Sequence, residues 1–223
     1  MKDYQRHFID FLVQTGALTF GDFVTKSGRN TPYFVNMGNF NLGSAISRLG
    51  DFYAAHMVSA GLKDLNVVFG PAYKGIPLAI ATAEALNRNH KLDIPFSFNR
   101  KEAKEHGDGG MLVGAKLSAQ SKVVIVEDVI TAGTTMREVV PLMNSFGVKS
   151  ILGVVIAVDR CERGTGDLSA VQEAQKNLGL SIFPIVTAKQ IIEHLSESNQ
   201  SGLVLSAAMR DKMEGYLKQY GVQ

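Results

Sequence analysis

The chain has 223 residues, of which 45% are hydrophobic and 20% charged, which is ordinary for a globular protein with one sizeable core. The formal net charge of +2 is too small to favour nucleic acid or a membrane surface as a partner. Its single cysteine, Cys161, excludes an internal disulfide and a zinc cluster built on cysteines. No apolar stretch approaches the roughly 20 residues that span a bilayer, and the first residues lack the apolar core of a signal peptide. We therefore expect a cytoplasmic enzyme or binding protein.

The N-terminal region begins with a helix pattern and continues with a turn. Apolar residues at helical spacing predict an amphipathic helix over residues 3–15. Residues 26–35, Lys-Ser-Gly-Arg-Asn-Thr-Pro-Tyr-Phe-Val, place turn-forming residues between two strand-like pieces. Taken alone, Lys26 is most simply a surface cation and Phe34 a core residue.

The next segment predicts a helix, a strand and a second helix. Residues 44–60 and 78–86 have helical apolar spacing, and residues 66–70 form a short apolar run typical of a buried strand. The sequence predicts an exit loop at 71–77, where Lys74 lies between an aromatic residue and a glycine. Ligands of α/β sheets bind at such strand exits. A lysine whose stem covers apolar surface is an equally good interpretation of the pattern.

A strand candidate at 94–98 is followed by a charged, glycine-ending segment at 99–110. Pro95 favours an edge strand or a strand start. The segment has too few apolar residues to stay ordered by itself. It could be a mixed-charge loop with no function, or a cover over a polyanion hinged at its glycines. Its potential cations, all within seven residues, are Arg100, Lys101, Lys104 and His106.

The central stretch, residues 122–137, combines an apolar run with two acids and a small hydroxyl-rich turn. The run predicts a strand covered on both faces, so Glu127 and Asp128 should end it at its carboxyl edge, because burying an unpaired charge is costly. The turn at 131–135 precedes a helix pattern, and a helix N-terminus is a seat for phosphate. Acids beside such a seat suit a sugar phosphate with hydroxyl groups, or a shared divalent cation. An ordinary strand, turn and helix with solvated acids is the alternative.

Residues 150–158 form the clearest strand pattern, and Arg160 follows it. A planar guanidinium there suits a ligand that carries a carboxylate. The alternative is a surface pair of Arg160 with Asp159 or Glu162. Cys161 has no histidine or asparagine pattern around it and is expected to be a spectator.

The C-terminal part predicts further packing elements. Capping boxes begin helices at Ser169 and Thr187, and residues 206–220 form a last amphipathic helix. Residues 181–186 predict a strand that Pro184 places at a sheet edge. We assign these elements to packing only.

The central stretch resembles the 5-phosphoribosyl-1-diphosphate (PRPP) signature of the type I phosphoribosyltransferases, with an apolar run, two acids, two apolar residues and Thr-Ala-Gly-Thr-Thr. Four further strings, in the expected order, resemble the orotate phosphoribosyltransferases. They are Lys-Ser-Gly-Arg with Pro-Tyr-Phe, Gly-Pro-Ala-Tyr-Lys-Gly-Ile-Pro, Arg-Lys-Glu-Ala-Lys-Glu-His-Gly, and Asp-Arg-x-Glu-Arg-Gly. Together the strings cover about residues 20–165.

Alternating strands and helices predict an α/β fold with a doubly wound, mostly parallel sheet flanked by helices. The resemblance adds a small hood, largely from the N-terminal region. We expect one domain over 1–223, with helix and hood to about 60, the α/β core at about 61–186 and C-terminal helices at about 187–223. The implied activity joins orotate to PRPP, giving orotidine 5′-monophosphate and diphosphate. The implied cofactor is Mg2+, held mainly by PRPP and water rather than by protein ligands.

The resemblance also assigns site residues. It implies an unusual peptide before Tyr73 that turns backbone donors toward the diphosphate, a 5-phosphate seated at 131–135, and acids holding the ribose hydroxyls. Spacing alone would equally allow the acids to bind metal. PRPP contacts are expected from Lys26, Tyr73, Lys74, Arg100, Lys101, Lys104, His106, Glu127, Asp128, Val129, Ile130, Thr131, Ala132, Gly133, Thr134 and Thr135. Catalytic roles are expected for Arg100, Lys101, Lys104, His106 and Asp128. Orotate contacts are expected from Phe34, Val35, Thr131 and Arg160.

Val35 departs from the pattern, since many members of the family have a second phenylalanine there. The resemblance further implies a homodimer, in which Lys101 serves its own subunit while Arg100, Lys104 and His106 of the loop at 100–110 reach the neighbouring site. Two alternatives remain open. A phosphoribosyltransferase for another base, such as a purine, should lack the Lys-Ser-Gly-Arg turn and the Arg160 string. A non-catalytic PRPP-sensing regulator should lack the cationic segment.

Overall fold

A computed structural model describes residues 1–25, 28–104, 110–130, 133–164, 166–197, 202 and 204–222, without the side chains of 103 and 104. The helices are α1 (Asp3–Gln14), α2 (Gly43–Ser59), α3 (Gly75–His90), α4 (Thr134–Ser145), α5 (Ala170–Leu178), α6 (Ala188–Ser196) and α7 (Ala207–Tyr220). The strands are β1 (Leu18–Val24), β2 (Asn30–Val35), β3 (Val67–Gly70), β4 (Phe96–Lys104), β5 (Gly110–Gly114), β6 (Lys122–Glu127), β7 (Ser150–Asp159) and β8 (Ile182–Thr187).

The main sheet has the order β5-β4-β3-β6-β7-β8, and only β5 runs antiparallel to its neighbour among these described strands. β1 and β2 form a separate antiparallel pair. The predicted mostly parallel α/β sheet flanked by helices is confirmed. The predicted edge position of the strand containing Pro184 is also correct, because β8 ends the sheet.

Two hydrophobic clusters cover the two faces of this sheet. Val124 and Val126 of β6 point into a cluster that also contains residues of α1, α2, α3, α6 and α7. Val123 and Ile125 point into the opposite cluster, which is completed by residues of α4 and α5. Successive strand residues face opposite sides, so an unbroken apolar run is what a strand covered on both faces requires.

The chain reverses its winding between β3 and β6. From β3 it passes through α3 to β4 on one side, and from β6 it passes through α4 to β7 on the other. The carboxyl ends of these two neighbouring strands therefore flank a crevice, the usual ligand position in open α/β sheets. Gly70 ends β3 in contact with Gly75, and a Cβ atom on Gly70 would lie 1.9 Å from the Gly75 carbonyl oxygen. This close approach is the reason for glycine at the strand exit.

Two boundaries differ from the sequence prediction. Helix α3 begins at Gly75, so residues 75–77 are helical rather than part of the loop. Residues 99–104 belong to β4 rather than to an irregular segment. Backbone pairing with β5 runs from Ser97 opposite Gly114 to Asn99 opposite Leu112 and resumes at Lys104 opposite Gly110 after an irregularity. This pairing at both ends supplies the order that apolar burial does not. Within the described ranges, no helix has the length and apolar character to cross a membrane.

Candidate active site

Glu127 and Asp128 lie at the carboxyl end of β6, where the backbone is held on both sides. The hydroxyl of Tyr53, from α2, donates to the Glu127 carbonyl oxygen at 2.7 Å. The Ala157 amide of β7 donates to the Asp128 carbonyl oxygen at 2.9 Å. Glu127 and Asp128 are only 6% and 7% exposed. The pair thus ends the strand as the sequence predicts, but with both side chains largely buried.

Lys74 joins the exit of β3 to this acid pair. Its Nζ donates to Asp128 Oδ2 at 2.8 Å, although the lysine side chain is 67% exposed and the aspartate side chain only 10%. The other carboxylate oxygen of Asp128 accepts from the Val129 amide at 2.7 Å. The arrangement places one exposed cation in front of a buried carboxylate, across the crevice between β3 and β6.

The loop that carries Lys74 has an uncommon backbone. The peptide bond between Ala72 and Tyr73 is cis, the kind of unusual geometry that the resemblance implies before Tyr73. The Ala72 amide donates to Asn99 Oδ1 at 3.0 Å, so β4 holds the loop in place. Tyr73 is largely exposed beside it.

Burial raises the pKa of Glu127 to about 8, since the hydrogen bond from the Asp128 amide and the charge of Lys74 offset the burial only in part. The nearby Asp128 charge acts in the same direction as burial. The Glu127 carboxyl is therefore largely protonated near neutral pH in the unliganded protein. A protonated carboxyl can donate to a hydroxyl as well as accept from one.

The N-terminus of α4 faces the acid pair. Gly133 precedes the helix in the left-handed region, with φ of +66°, and no side chain caps the first turn among the described residues. The amides of that turn and the positive end of the helix dipole are suited to an anion. A cavity of about 60 Å³ lies here, lined by Glu127, Val129, Ile130, Gly133, Thr134, Thr135 and Met136. Thr131 and Ala132 lie outside the described residues.

The charged strand β4 extends beside α4. Lys101 Nζ lies 3.6 Å from Glu138 Oε2 of that helix, so its ammonium group lies beside α4. Arg100 Nη1 donates to the carbonyl oxygens of Gly110 and Leu112, at 3.2 and 3.4 Å. The side chain of Lys104, all of His106, and Lys26 of the first turn lie outside the described residues.

Arg160 leaves β7 and forms a largely enclosed ion pair. Its Nε and Nη2 lie 2.8 and 2.6 Å from Glu162 Oε1, and the two side chains are 14% and 15% exposed. Nη2 also donates to Thr31 Oγ1 at 3.1 Å, and the guanidinium carbon lies 4.3 Å from the centre of the Tyr33 ring. The pair with Glu162 that the sequence left open is present, but it is enclosed rather than at the surface.

The residues expected at the base lie on two faces of β2. Phe34 is 43% exposed and its ring lies against Phe23 at 5.7 Å. Val35 packs against the first hydrophobic cluster, and alternation along the strand places it with Tyr33 on the face opposite Phe34. Arg160 contacts Tyr33, so the structure does not bring Arg160 and the Phe34 ring onto one face of the strand.

Cys161 has the properties of a spectator. Burial and the charge of Asp159 raise the pKa of its thiol to about 11, so the nucleophilic thiolate is scarce at neutral pH. Its amide donates to Asp159 Oδ1 at 2.8 Å, and its own φ is +54°. In the described ranges, no three or more histidine, cysteine or acidic side chains converge as a metal cage would require.

Comparison with known proteins decides the family. The phosphoribosyl transferase domain family matches residues 42–177. Proteins named orotate phosphoribosyltransferase match over 100% of both chains, with 46% identity for Clostridium beijerinckii and 50% for Pseudomonas putida. The crystal structure of orotate phosphoribosyltransferase from Francisella tularensis has a TM-score of 0.85 and 34% identity, over 96% of this chain and 99% of that one. The chain belongs to the orotate phosphoribosyltransferases.

Several residues of this protein hold its site together, most of them in roles that the sequence did not predict. Tyr53 fixes the acid pair, Asn99 fixes the loop before Lys74, and Glu162 holds Arg160. Arg29 donates to the carbonyl oxygens of Arg163 and Gly164, at 2.8 and 3.1 Å, and so connects the turn between β1 and β2 to the segment after β7. Tyr53, Asn99 and Arg29 contact partners that are distant in sequence, so spacing carried no signal for those contacts. Glu162 lies two residues from Arg160 and was one of the surface partners that the sequence left open.

Proposed function

We propose that this protein transfers the 5-phosphoribosyl group of PRPP to orotate, giving orotidine 5′-monophosphate and diphosphate in pyrimidine biosynthesis. The observation that carries the proposal is the position of the Lys74–Asp128 pair. It lies at the switch between β3 and β6, next to Glu127 and the N-terminus of α4. A cation, two acids and a helix N-terminus around one crevice suit a sugar that carries anionic groups at both ends.

PRPP would lie across this crevice. Glu127 and Asp128 would hold the ribose hydroxyls, and the backbone from Thr131 to Thr135, with Val129 and Ile130 before it, would seat the 5-phosphate. The loop at Ala72–Lys74 would face the diphosphate, where the lysine can leave Asp128 and pair with phosphate oxygens. Its largely exposed side chain permits that exchange at little cost. Lys26 would reach PRPP from the first turn.

The chemistry asks the protein for positioning and charge compensation. Breaking the anomeric C–O bond gives an oxocarbenium-like ribosyl group and a highly charged leaving diphosphate. Each charge-assisted hydrogen bond contributes about 1.5–3 kcal/mol, and about 1.4 kcal/mol changes a rate tenfold when the bond forms only in the transition state. Lys74, Lys101, Lys104, His106 and Arg100 are the groups proposed to compensate the leaving charge, while Asp128 holds the ribose.

Mg2+ is the proposed cofactor, and its chemistry is to neutralise diphosphate oxygens of bound PRPP. The acid pair is better suited to a metal ion that is already coordinated by PRPP and water than to a bare ion. Both carboxylate oxygens of Asp128 already accept hydrogen bonds, from Lys74 and from the Val129 amide. Direct coordination by Asp128 would compete with the lysine pair, so we propose that PRPP and water supply most of the metal ligands.

We propose a homodimer in which the segment at 100–110 completes the neighbouring site. Helix α3 supports an interface next to the PRPP loop. Tyr73, just before the helix, and Ile80, within it, are large, exposed apolar residues, and Pro77 between them is also exposed. Ile80→Glu should convert a dimer to monomers in size-exclusion chromatography with light scattering. Glu84→Gln, on the same exposed face, is the control.

Shared sites can be tested by mixing two inactive variants. If Lys74 acts in its own subunit and Lys104 in the neighbouring one, a mixed dimer of Lys74→Ala and Lys104→Ala subunits contains one intact site. Activity should then return on mixing. Lys104→Ala alone should lower turnover far more than orotate affinity. An equal, modest loss in both would show that the segment contributes only to binding.

At the base end, Arg160 is proposed to bind the orotate carboxylate, with Val35 on the same face of β2. Phe34 lies on the opposite face, so it and Thr131 are proposed to contact the base from other sides. The assay that tests the whole proposal follows the loss of orotate absorbance with PRPP and Mg2+, using adenine, hypoxanthine and uracil as competitors. Competition by a purine would favour another phosphoribosyltransferase, and PRPP binding without turnover would favour a regulator. We also propose a cytoplasmic location, which subcellular fractionation tests.

A further inference from the structure

The Arg160–Glu162 pair belongs to a buried cluster that reaches the C-terminal helix. Tyr33, Thr31 and Tyr216 are 0%, 2% and 6% exposed, and all face the pair. Tyr216, on α7, packs edge-on against the Tyr33 ring at 6.3 Å between centroids. Arg160 is therefore enclosed by side chains from β2, from its own loop and from α7.

Glu162 is gripped by several donors at once. Its Oε1 accepts from Arg160 and from the Tyr33 hydroxyl, the latter at 3.2 Å. The Tyr216 hydroxyl is buried and makes no hydrogen bond of good geometry, yet it lies close to both Glu162 and Thr31. Burial raises the pKa of Tyr216, and the Glu162 charge raises it further. The tyrosine thus stays protonated and faces the carboxylate with its hydroxyl.

The backbone of the same loop is fastened to the end of α7. The Arg163 amide donates to the Tyr220 carbonyl oxygen, and the Val222 amide donates to the Cys161 carbonyl oxygen, both at 2.8 Å. Glu162 and Gly221 form an antiparallel bridge. Side chain and backbone of the Arg160 loop are consequently both fixed by the C-terminal helix and the residues after it.

Within the described part of the chain, the polar contacts of Arg160 involve only two of its three guanidinium nitrogens. Nε and Nη2 are occupied by Glu162 and Thr31, whereas no partner of Nη1 is recorded among the described residues. A guanidinium whose one edge is fixed presents its remaining donors in a defined direction, which favours a planar carboxylate over other anions.

We propose that Glu162 and Tyr216 are positioning residues for base recognition, which hold Arg160 so that Nη1 is left for the substrate carboxylate. The inference rests on the proposed function, because it takes orotate as the ligand of Arg160. It makes the C-terminal helix part of the base-binding end rather than a packing element only.

The test compares two tyrosine substitutions on α7. Tyr216→Phe removes the hydroxyl that faces Glu162, and should raise the KM for orotate about threefold, at the low end of the effect of a polar contact because the hydroxyl makes no hydrogen bond of good geometry. The KM for PRPP should stay within twofold. Tyr220→Phe, a turn further along the helix, keeps its ring under Arg29 and should change neither value. An equal change in both KM values for Tyr216→Phe would indicate a merely structural role.

Glu162→Gln provides a second variant that keeps the side-chain size. It should also raise the KM for orotate selectively, whereas a lower KM would show that Glu162 competes with the substrate and would overturn the inference. The rate of solvent exchange of the Arg160 Nε–H proton, measured by NMR, reports how firmly Glu162 holds the guanidinium, and it should be faster in both variants. Faster exchange with an unchanged orotate KM overturns the inference and leaves the proposed function intact. Absence of orotate turnover by the wild-type protein overturns the proposed function instead.

Discussion

Two cation–carboxylate pairs stand at the carboxyl edge of one sheet, and they differ in how far water reaches them. Lys74 pairs with Asp128 through a single contact, and the lysine side chain is 67% exposed. Arg160 pairs with Glu162 through two nitrogens, lies over Tyr33, and is 14% exposed. The first is an open pair and the second a closed pair.

The difference follows from the cations and their surroundings. A lysine on a flexible stem can exchange one anion for another, which suits a leaving group whose charge grows during the reaction. A fixed guanidinium cannot move, so it selects ligands by shape. The open pair is expected to matter for turnover and the closed pair for stability and base choice.

Breaking the closed pair should have the largest effect on stability. Arg160→Met leaves Glu162 buried without its cation, and removing one partner of a buried pair costs about 3–5 kcal/mol. Urea unfolding measures the loss. The double variant Arg160→Met/Glu162→Leu should recover most of it, yet should not recover orotate affinity. A loss below about 1 kcal/mol in the single variant would place the pair among ordinary surface pairs.

The acid beside the open pair should make stability depend on pH. Glu127 has a folded pKa raised to about 8, above the unfolded value near 4.5. The stability it contributes is complete below pH 4.5 and is lost as the pH rises toward 8, because ionisation in the folded state is disfavoured. The stability of Glu127→Gln relative to wild type should rise over that window and level off above it, by on the order of 2–4 kcal/mol.

Urea midpoints at pH 5, 7 and 9 provide the measurement for Glu127→Gln. Glu102→Gln, which removes an exposed carboxyl from β4, controls for the change in net charge. A stability difference that stays constant across the three pH values, or that shrinks as the pH rises, would contradict the assignment of a buried, protonated Glu127.

Removing the open cation should affect turnover more than folding. Lys74→Ala should lower kcat/KM by about 10- to 150-fold, the equivalent of one charge-assisted bond. Its stability should fall by about 1–2 kcal/mol, less than for Arg160→Met, because the lysine is exposed to water although the buried Asp128 loses its cation. Steady-state kinetics with both substrates, paired with thermal unfolding, checks this. If stability falls as far as in Arg160→Met, Lys74 is a structural residue and the contrast with Arg160 disappears.

Tyr53 gives the smallest expected effect and reports how the acid pair is fixed. Tyr53→Phe leaves the buried Glu127 carbonyl oxygen without its donor, at a cost of about 1–2 kcal/mol of stability. The KM for PRPP should rise while that for orotate stays constant, since the acids are proposed to hold the ribose. Tyr4→Phe removes a hydroxyl hydrogen bond to His56 away from the site and serves as the control.

Much of this architecture follows from local sequence. The apolar run before Glu127 predicts a covered strand with acids at its end, and Pro184 predicts an edge, because both rules concern a residue and its neighbours in the chain. The spacing could not give Tyr53 its role, since helical periodicity identifies only its buried face and its partner lies 74 residues away. The role of Tyr216 could not be predicted for the same reason. Glu162, two residues from Arg160, was named as a possible surface partner, and only the burial of that pair was missed. The strand at 99–104 was missed because its order comes from pairing with β5 and not from its own composition.

The lone Cys161 thiol, with its high pKa, has a practical consequence. It is buried, and the carbonyl oxygen of the same residue accepts a hydrogen bond from the Val222 amide, after helix α7. Thiol-directed reagents should therefore modify the intact protein slowly, and faster whenever the segment after β7 detaches. The rate at which Cys161 is labelled should therefore report how often the segment after β7 opens. Labelling rates with and without substrates can measure this opening in the wild-type protein, without any engineered probe.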